Sequence, residues 1–213
     1  MLAGPQVFVD IDTQVDFLGP AGALFVSRST EILGNLERLT RLAREHGIPV
    51  LASADAHTPE DEEMQTFPPH CMLGTHGQER VAATAWPGSV IVDDQATVPD
   101  AVPPHLTIHK HHFDFFTHPR ADELVSLYLA SRPVFVVYGV ATDYCVKAAV
   151  EGLLARGGRV ALVVDAIRAI DAEAESRILT GFAQQGVLLT VTEVVCDPAS
   201  ITSLPIPDRR PSS

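Results

Sequence analysis

Short segments that are hydrophobic at nearly every position alternate along this chain with segments of helical period, and that alternation leaves few folds open. Residues 6–11 (QVFVDI), 48–54 (IPVLASA), 89–93 (SVIVD), 105–110 (HLTIHK), 133–140 (PVFVVYGV), 159–165 (RVALVVD) and 186–194 (GVLLTVTEV) read as strands. A strand with one wet face alternates apolar and polar residues. Several of these do not, as expected where helices cover both faces of a parallel sheet. Between the strands, residues 29–46 place Ile32, Leu33, Leu36, Leu39 and Leu42 at helical spacing, and Gly47 follows as a stop signal. Further helices are predicted over 120–131, 143–156 and 171–185. The expected fold is a three-layer α/β/α arrangement around a mostly parallel, Rossmann-like sheet.

At 213 residues the chain has the size of one domain, with 205–213 (PIPDRRPSS) expected to fray. Hydrophobic residues at 46% and charged residues at 20% suit a globular protein rather than a disordered one. A formal net charge of −12 argues against nucleic acid or an anionic membrane as partner, since both would repel it. No apolar run is long enough to span a bilayer, and the N-terminus lacks a basic segment followed by an apolar one, so a cytoplasmic protein is expected. The three cysteines, Cys71, Cys145 and Cys196, are too few and too scattered for a disulfide framework and are expected to be free.

Ligands of open parallel sheets collect beyond the carboxyl ends of the strands. Asp12, Asp55 with His57, Lys110 and Cys145 all come at or directly after the end of a predicted strand. Cys145 falls where a buried strand turns into a helix, so helix N–H groups are expected to lower its pKa and to hold an oxyanion. A buried structural cysteine is the competing reading, and position alone leaves the two even. Asp12 could serve as the base that takes the thiol proton, and Lys110 could steady the resulting negative charge. Asp10 lies on the same strand, and spacing does not separate it from Asp12. Asp55-Ala56-His57 points a carboxylate and an imidazole the same way in extended chain, and His70 follows. Such an O/N set suits Zn²⁺, and also Fe²⁺ or Mn²⁺, with a fourth ligand available from the acidic run at 60–63. His109, His111 and His112, around Lys110, show no ligand spacing and are expected at the surface or behind the site. The stretch 55–88, rich in Pro, Gly, His and acids, has no clear period, which in a compact protein often marks function.

Taken together, Asp12-x-Gln14-x-Asp16-Phe17, Ser53-x-Asp55-x-His57, Phe67-Pro-Pro-His70-Cys71-x-x-Gly74-Thr75, Lys110 and Gly139-Val-Ala-Thr-Asp-Tyr-Cys145-Val resemble the isochorismatase-like cysteine hydrolases and, within them, the nicotinamidases. The resemblance runs in order over nearly the whole chain. It implies Asp12, Lys110 and Cys145 as catalytic residues, which selects Asp12 over Asp10, and Asp55, His57 and His70 as metal ligands, with Glu63 as a fourth. It also implies a cis peptide between Val140 and Ala141, an oxyanion hole from the N–H groups of Ala141 and Cys145, and Phe17 and Phe67 as pocket walls, Phe67 standing where many members carry Trp. The implied reaction converts nicotinamide to nicotinate and ammonia through a Cys thioester, in a homo-oligomer. A related hydrolase of another small amide or N-carbamoyl compound, and a catalytically idle metabolite-binding protein, are the alternatives. Retention of Asp12, Lys110 and Cys145 weighs against the last.

Overall fold

The computed structural model describes residues 4–197, so the expected fraying of 205–213 lies outside the described residues. Seven parallel strands form one sheet in the order β3-β4-β2-β1-β5-β6-β7. They are β1 (Gln6–Ile11), β2 (Val50–Asp55), β3 (Val90–Val92), β4 (His105–Lys110), β5 (Val134–Val140), β6 (Arg159–Arg168) and β7 (Leu188–Thr190). On one side of β1 the chain passes to β2, then to the edge strand β3 and back to β4 between them; on the other side it runs outward through β5, β6 and β7. β1 is therefore where the winding reverses, and a crevice opens beyond its carboxyl end.

β1, β2 and β5 are buried along their whole length, which explains why they do not alternate apolar and polar residues. Alternate residues feed the two faces. Val7, Val9 and Ile11 pack with Leu124, Val125 and Tyr128 of α3 (Ala121–Leu129) and Ala149, Val150 and Leu153 of α4 (Lys147–Ala155). Phe8 points to the opposite face, against Leu36, Leu39 and Leu42 of α2 (Leu33–His46). Gly47 ends α2 in a left-handed conformation, φ 63°. A short α1 (Val15–Leu18) follows β1, and α5 (Ala172–Gln184) lies near the β7 edge with Phe182 as its buried residue. Among the described residues no helix is long and apolar enough to cross a membrane.

Two elements depart from the periodicity. The stretch 186–194 is strand only over Leu188–Thr190 and then turns into α6 (Thr192–Val195). The Asp165 carboxylate accepts from Thr192 N at 2.8 Å and Thr192 Oγ1 at 2.9 Å, supplying a cap that local β-propensity does not reveal. The helix expected over 143–156 begins instead with a π-helical turn, Thr142–Val146, ahead of α4. π-turns inside helices recur at functional sites.

β5 packs so tightly on β1 near its end that only glycine fits at 139. Its φ is 118°, and an added Cβ would lie 2.0 Å from the Ile11 carbonyl oxygen. Gly139→Ala is expected to lower the unfolding free energy by about 3 kcal/mol, combining backbone strain with a displaced strand. Urea denaturation measures it, and a midpoint equal to the parent's would show that the strands have slack here.

Candidate active site

Four neighbouring strands deliver the polar groups that meet in the crevice. The β2–β4 register sets Asp55 opposite Lys110, the last residue of each strand. Asp12, the first residue beyond β1, turns with φ 48°, and its N–H donates to the Ser53 carbonyl at 3.2 Å. Ser53 Oγ donates in turn to Asp12 Oδ1 at 2.7 Å, so Asp12 Oδ2 is left to face Lys110 Nζ at 2.9 Å. Lys110 Nζ also donates to Asp55 Oδ1 and stands 3.9 Å from Cys145 Sγ. Cys145 is carried there by the π-turn after β5, where the Ala141 carbonyl accepts from both Tyr144 N and Val146 N at 3.1 Å. The Val140–Ala141 peptide is cis, as the resemblance implies. Asp12, Asp55, Lys110 and Cys145 are all buried.

The electrostatics correct one expectation. Burial pushes the Cys145 thiol well above the ordinary thiol range; Lys110 opposes this, while Asp12 and Asp55 reinforce it. The lowering expected from a helix N-terminus does not appear, because the thiol is enclosed and faces two carboxylates. Burial likewise raises the Asp12 carboxyl against the pull of Lys110. Burial works against the charge on Lys110, yet Asp12 and Asp55 together hold its pKa well above the usual lysine value. At Asp55 burial is outweighed by Lys110 and His57, which hold it at about 2. The cluster at rest thus joins an ammonium, an ionised Asp55 and a protonated thiol next to an aspartate whose proton affinity is increased.

Asp10, the rival to Asp12, belongs elsewhere. Its carboxylate pairs with Arg80 and accepts from Thr13 Oγ1 at 2.9 Å, tying the irregular segment to β1. Arg80 Nη1 also donates to the Ser53 carbonyl at 3.2 Å. Gln14 grips Asp55 by its backbone, accepting from Asp55 N at 2.7 Å and donating to Asp55 O at 2.8 Å. Asp16 pins the segment on the far side, accepting from Cys71 N at 2.7 Å and Ala23 N at 2.9 Å.

Asp55, His57 and His70 each offer a ligand atom within 4.8 Å of the others, and all three residues are buried. Each imidazole is held in the useful tautomer. His57 Nδ1 donates to Asp61 Oδ2 at 2.9 Å and His70 Nδ1 to the Pro68 carbonyl at 2.8 Å, which leaves both Nε2 lone pairs directed inward. His57 Nε2 is buried without a hydrogen-bond partner, a state that a cation would relieve. The donor set therefore fits a divalent transition metal. Glu63 Oε2 lies 3.6 Å from His57 Nε2, but its other oxygen accepts from Phe113 N, and it falls outside the tight trio.

Phe17 and Phe67 line a small cavity over Cys145 and His70. Two further walls escaped the sequence reading. Phe113 and Tyr144 meet edge to face at 6.0 Å between ring centroids, and Tyr144 meets Phe67 at 5.6 Å. The available signal was adjacency, since Tyr144 precedes Cys145 and Phe113 follows Lys110 closely. His111 bonds Asp61 at 3.0 Å behind the metal-type trio. Cys71 and Cys196 are free, Cys71 fully enclosed. Trp86 stacks on His105 with centroids 4.8 Å apart.

The parallel sheet thus assembles a buried thiol, a carboxylate–ammonium pair and a metal-type trio at its winding reversal. The isochorismatase domain family matches residues 6–194, and the chain belongs to that family of hydrolases. Nicotinamidase 1 of Arabidopsis thaliana is 34% identical over 83 residues, 38% of this chain and 34% of that protein, so the match spans about a third of the curated relative's length. Among solved structures, the pyrazinamidase of Pyrococcus horikoshii in complex with zinc is 25% identical with a TM-score of 0.68, over 87% of this chain and 98% of that one. The N-carbamoylsarcosine amidase of Thermoplasma acidophilum is 22% identical with a TM-score of 0.70, over 89% and 97%, a likeness of fold.

The Asp10–Arg80 pair supports the segment that carries the trio. Arg80→Ala strands a buried carboxylate and is expected to cost about 3 kcal/mol of stability. Adding Asp10→Asn should recover part of that loss in a double-mutant cycle, and additive single effects would show that the pair is not coupled.

Proposed function

We propose that this protein is a metal-dependent amidohydrolase that converts nicotinamide to nicotinate and ammonia. The observation carrying the reading is Lys110 Nζ, which touches Asp12 and Asp55 and approaches Cys145, linking the acid–base group, the nucleophile and the metal trio in one enclosed cluster. The aromatic walls support a flat ring as substrate, since aromatic faces and edges pack best against another planar group. Asp55, His57 and His70 would hold the metal, with Glu63 beside them on the cavity side; Zn²⁺, Fe²⁺ and Mn²⁺ all suit the donors. When bound, the ion supplies a Lewis-acidic anchor for the pyridine nitrogen, which sets the carboxamide towards Cys145.

Asp12 accepts the Sγ proton, and the thiolate forms a bond to the carboxamide carbon. Removing the proton in concert with attack suits a thiol whose burial disfavours a free thiolate. The oxyanion rests on the N–H groups of Ala141 and Cys145. Asp12 returns its proton to the nitrogen, the C–N bond breaks and ammonia departs, leaving a thioester. A water then yields a proton to Asp12 and adds to the thioester carbon. The C–S bond breaks, the sulfur takes the proton from Asp12, and nicotinic acid leaves, losing its carboxyl proton to water to become nicotinate. Throughout, Lys110 offsets the negative charge that Asp12 and Cys145 exchange, and Ser53 fixes Asp12 so that Oδ2 faces Lys110.

Cys145→Ala is expected to lower nicotinamide kcat/KM by at least about a thousandfold with unchanged folding. Ammonia release measures it, and wild-type turnover by the variant would sink the mechanism. A panel of amides should place nicotinamide first and pyrazinamide among the substrates; an N-carbamoyl compound leading the panel would move the substrate elsewhere in the family. Treatment with a strong chelator should remove activity and added Zn²⁺ or Mn²⁺ should restore it.

A further inference from the structure

The proposed metal ligand His57 does not hold its own position. Its Nδ1–H donates to Asp61 Oδ2 at 2.9 Å, and the same oxygen accepts from Thr58 N at 3.0 Å and from His111 Nδ1 at 3.0 Å. Asp61 Oδ1 takes the Thr58 hydroxyl at 2.9 Å. Every neighbour donates, so the carboxylate has no competing role. The carboxylate lies directly behind the imidazole.

We infer that Asp61 is a positioning residue for the metal site. It fixes the His57 tautomer that presents Nε2, adds electron density to that nitrogen, and shares its charge with His111. Nothing in the donor spacing 55/57/70 implies it. The physical reason is general: an imidazole ligand binds a cation more strongly when its other N–H is given to a carboxylate, and losing such a partner weakens metal binding by about ten- to a hundredfold. The arrangement also joins two parts of the chain. Asp61 reaches His111 and Glu63 reaches Phe113 N, so the loop bearing the trio is docked by two acids onto the segment that follows β4. His111 is half-exposed, which puts one end of this connection at the surface.

The inference rests on the proposed metal site, and metal binding without substrate separates the two. The experiment measures the Kd for Zn²⁺ by competition with a chromophoric chelator, together with the Co²⁺ absorption spectrum and the Tm of the metal-free protein. It compares the parent with Asp61→Asn, Asp61→Ala and His111→Ala. Asp61→Asn can keep an oxygen towards His57 and His111 while removing the charge, so it is expected to weaken Zn²⁺ binding about tenfold with the metal-free Tm unchanged. Asp61→Ala is expected to lose about a hundredfold and to alter the Co²⁺ spectrum, and His111→Ala a few-fold. A Kd within twofold of the parent in both Asp61 variants, or a lowered metal-free Tm with unaltered Kd, overturns the inference while leaving the metal site standing. Should Asp61→Ala fail to fold, Asp61→Asn alone decides. A parent that takes up no Zn²⁺ or Co²⁺ overturns both.

Discussion

One enclosed ammonium governs the centre of this molecule. Lys110 lies between two carboxylates that are themselves buried. Moving ions of this size out of water costs several kcal/mol each, and only mutual attraction in a medium of low polarity recovers it. Asp12 and Asp55 can therefore be ionised side by side only because Lys110 is there. The three strands that contribute them, β1, β2 and β4, are neighbours in the sheet, and the parallel register brings their ends to one level. The sheet order and the charge balance are the same constraint viewed at two scales.

That balance also decides how reactivity is arranged. A thiol surrounded by apolar packing and facing carboxylates does not ionise on its own, and burial dominates over any favourable backbone dipole. In the proposed mechanism the nucleophile keeps its proton until attack, and the adjoining Asp12, whose proton affinity burial increases, receives it. The metal-type trio is arranged on different principles. Its nitrogens are presented by hydrogen bonds made on the far side of each ring, to Asp61 and to the Pro68 carbonyl. Outer contacts of this kind set ligand orientation as firmly as the ligands themselves.

Much of this was legible in the residues. The largely apolar, non-alternating character of β1, β2 and β5 announced a parallel sheet covered on both faces, and the strand ends located Asp12, Asp55, Lys110 and Cys145 in advance. Asp10 and Asp12 could not be separated by spacing, because the decision lies in Arg80, far along the chain, which claims Asp10 for itself. The fate of 186–194 was hidden for a similar reason: a carboxylate on β6 caps a helical turn within a stretch of strand-forming residues. Tyr144 and Phe113 were missed because a wall is defined by what it faces, and facing is a property of the folded loops rather than of neighbours in sequence. The thiol's raised pKa was hidden too, since enclosure cannot be read from position next to a helix.

The aromatic walls and the charged cluster hang on different parts of the scaffold. Phe67, Phe113 and Tyr144 come from turns beyond the strands, whereas Lys110 and Asp55 are locked in hydrogen-bonded register. Turns of this kind tolerate exchange far better than a ladder does. A lineage built on this chassis can thus retool its choice of guest by trading rings at the mouth, without reopening the negotiation among the ions beneath.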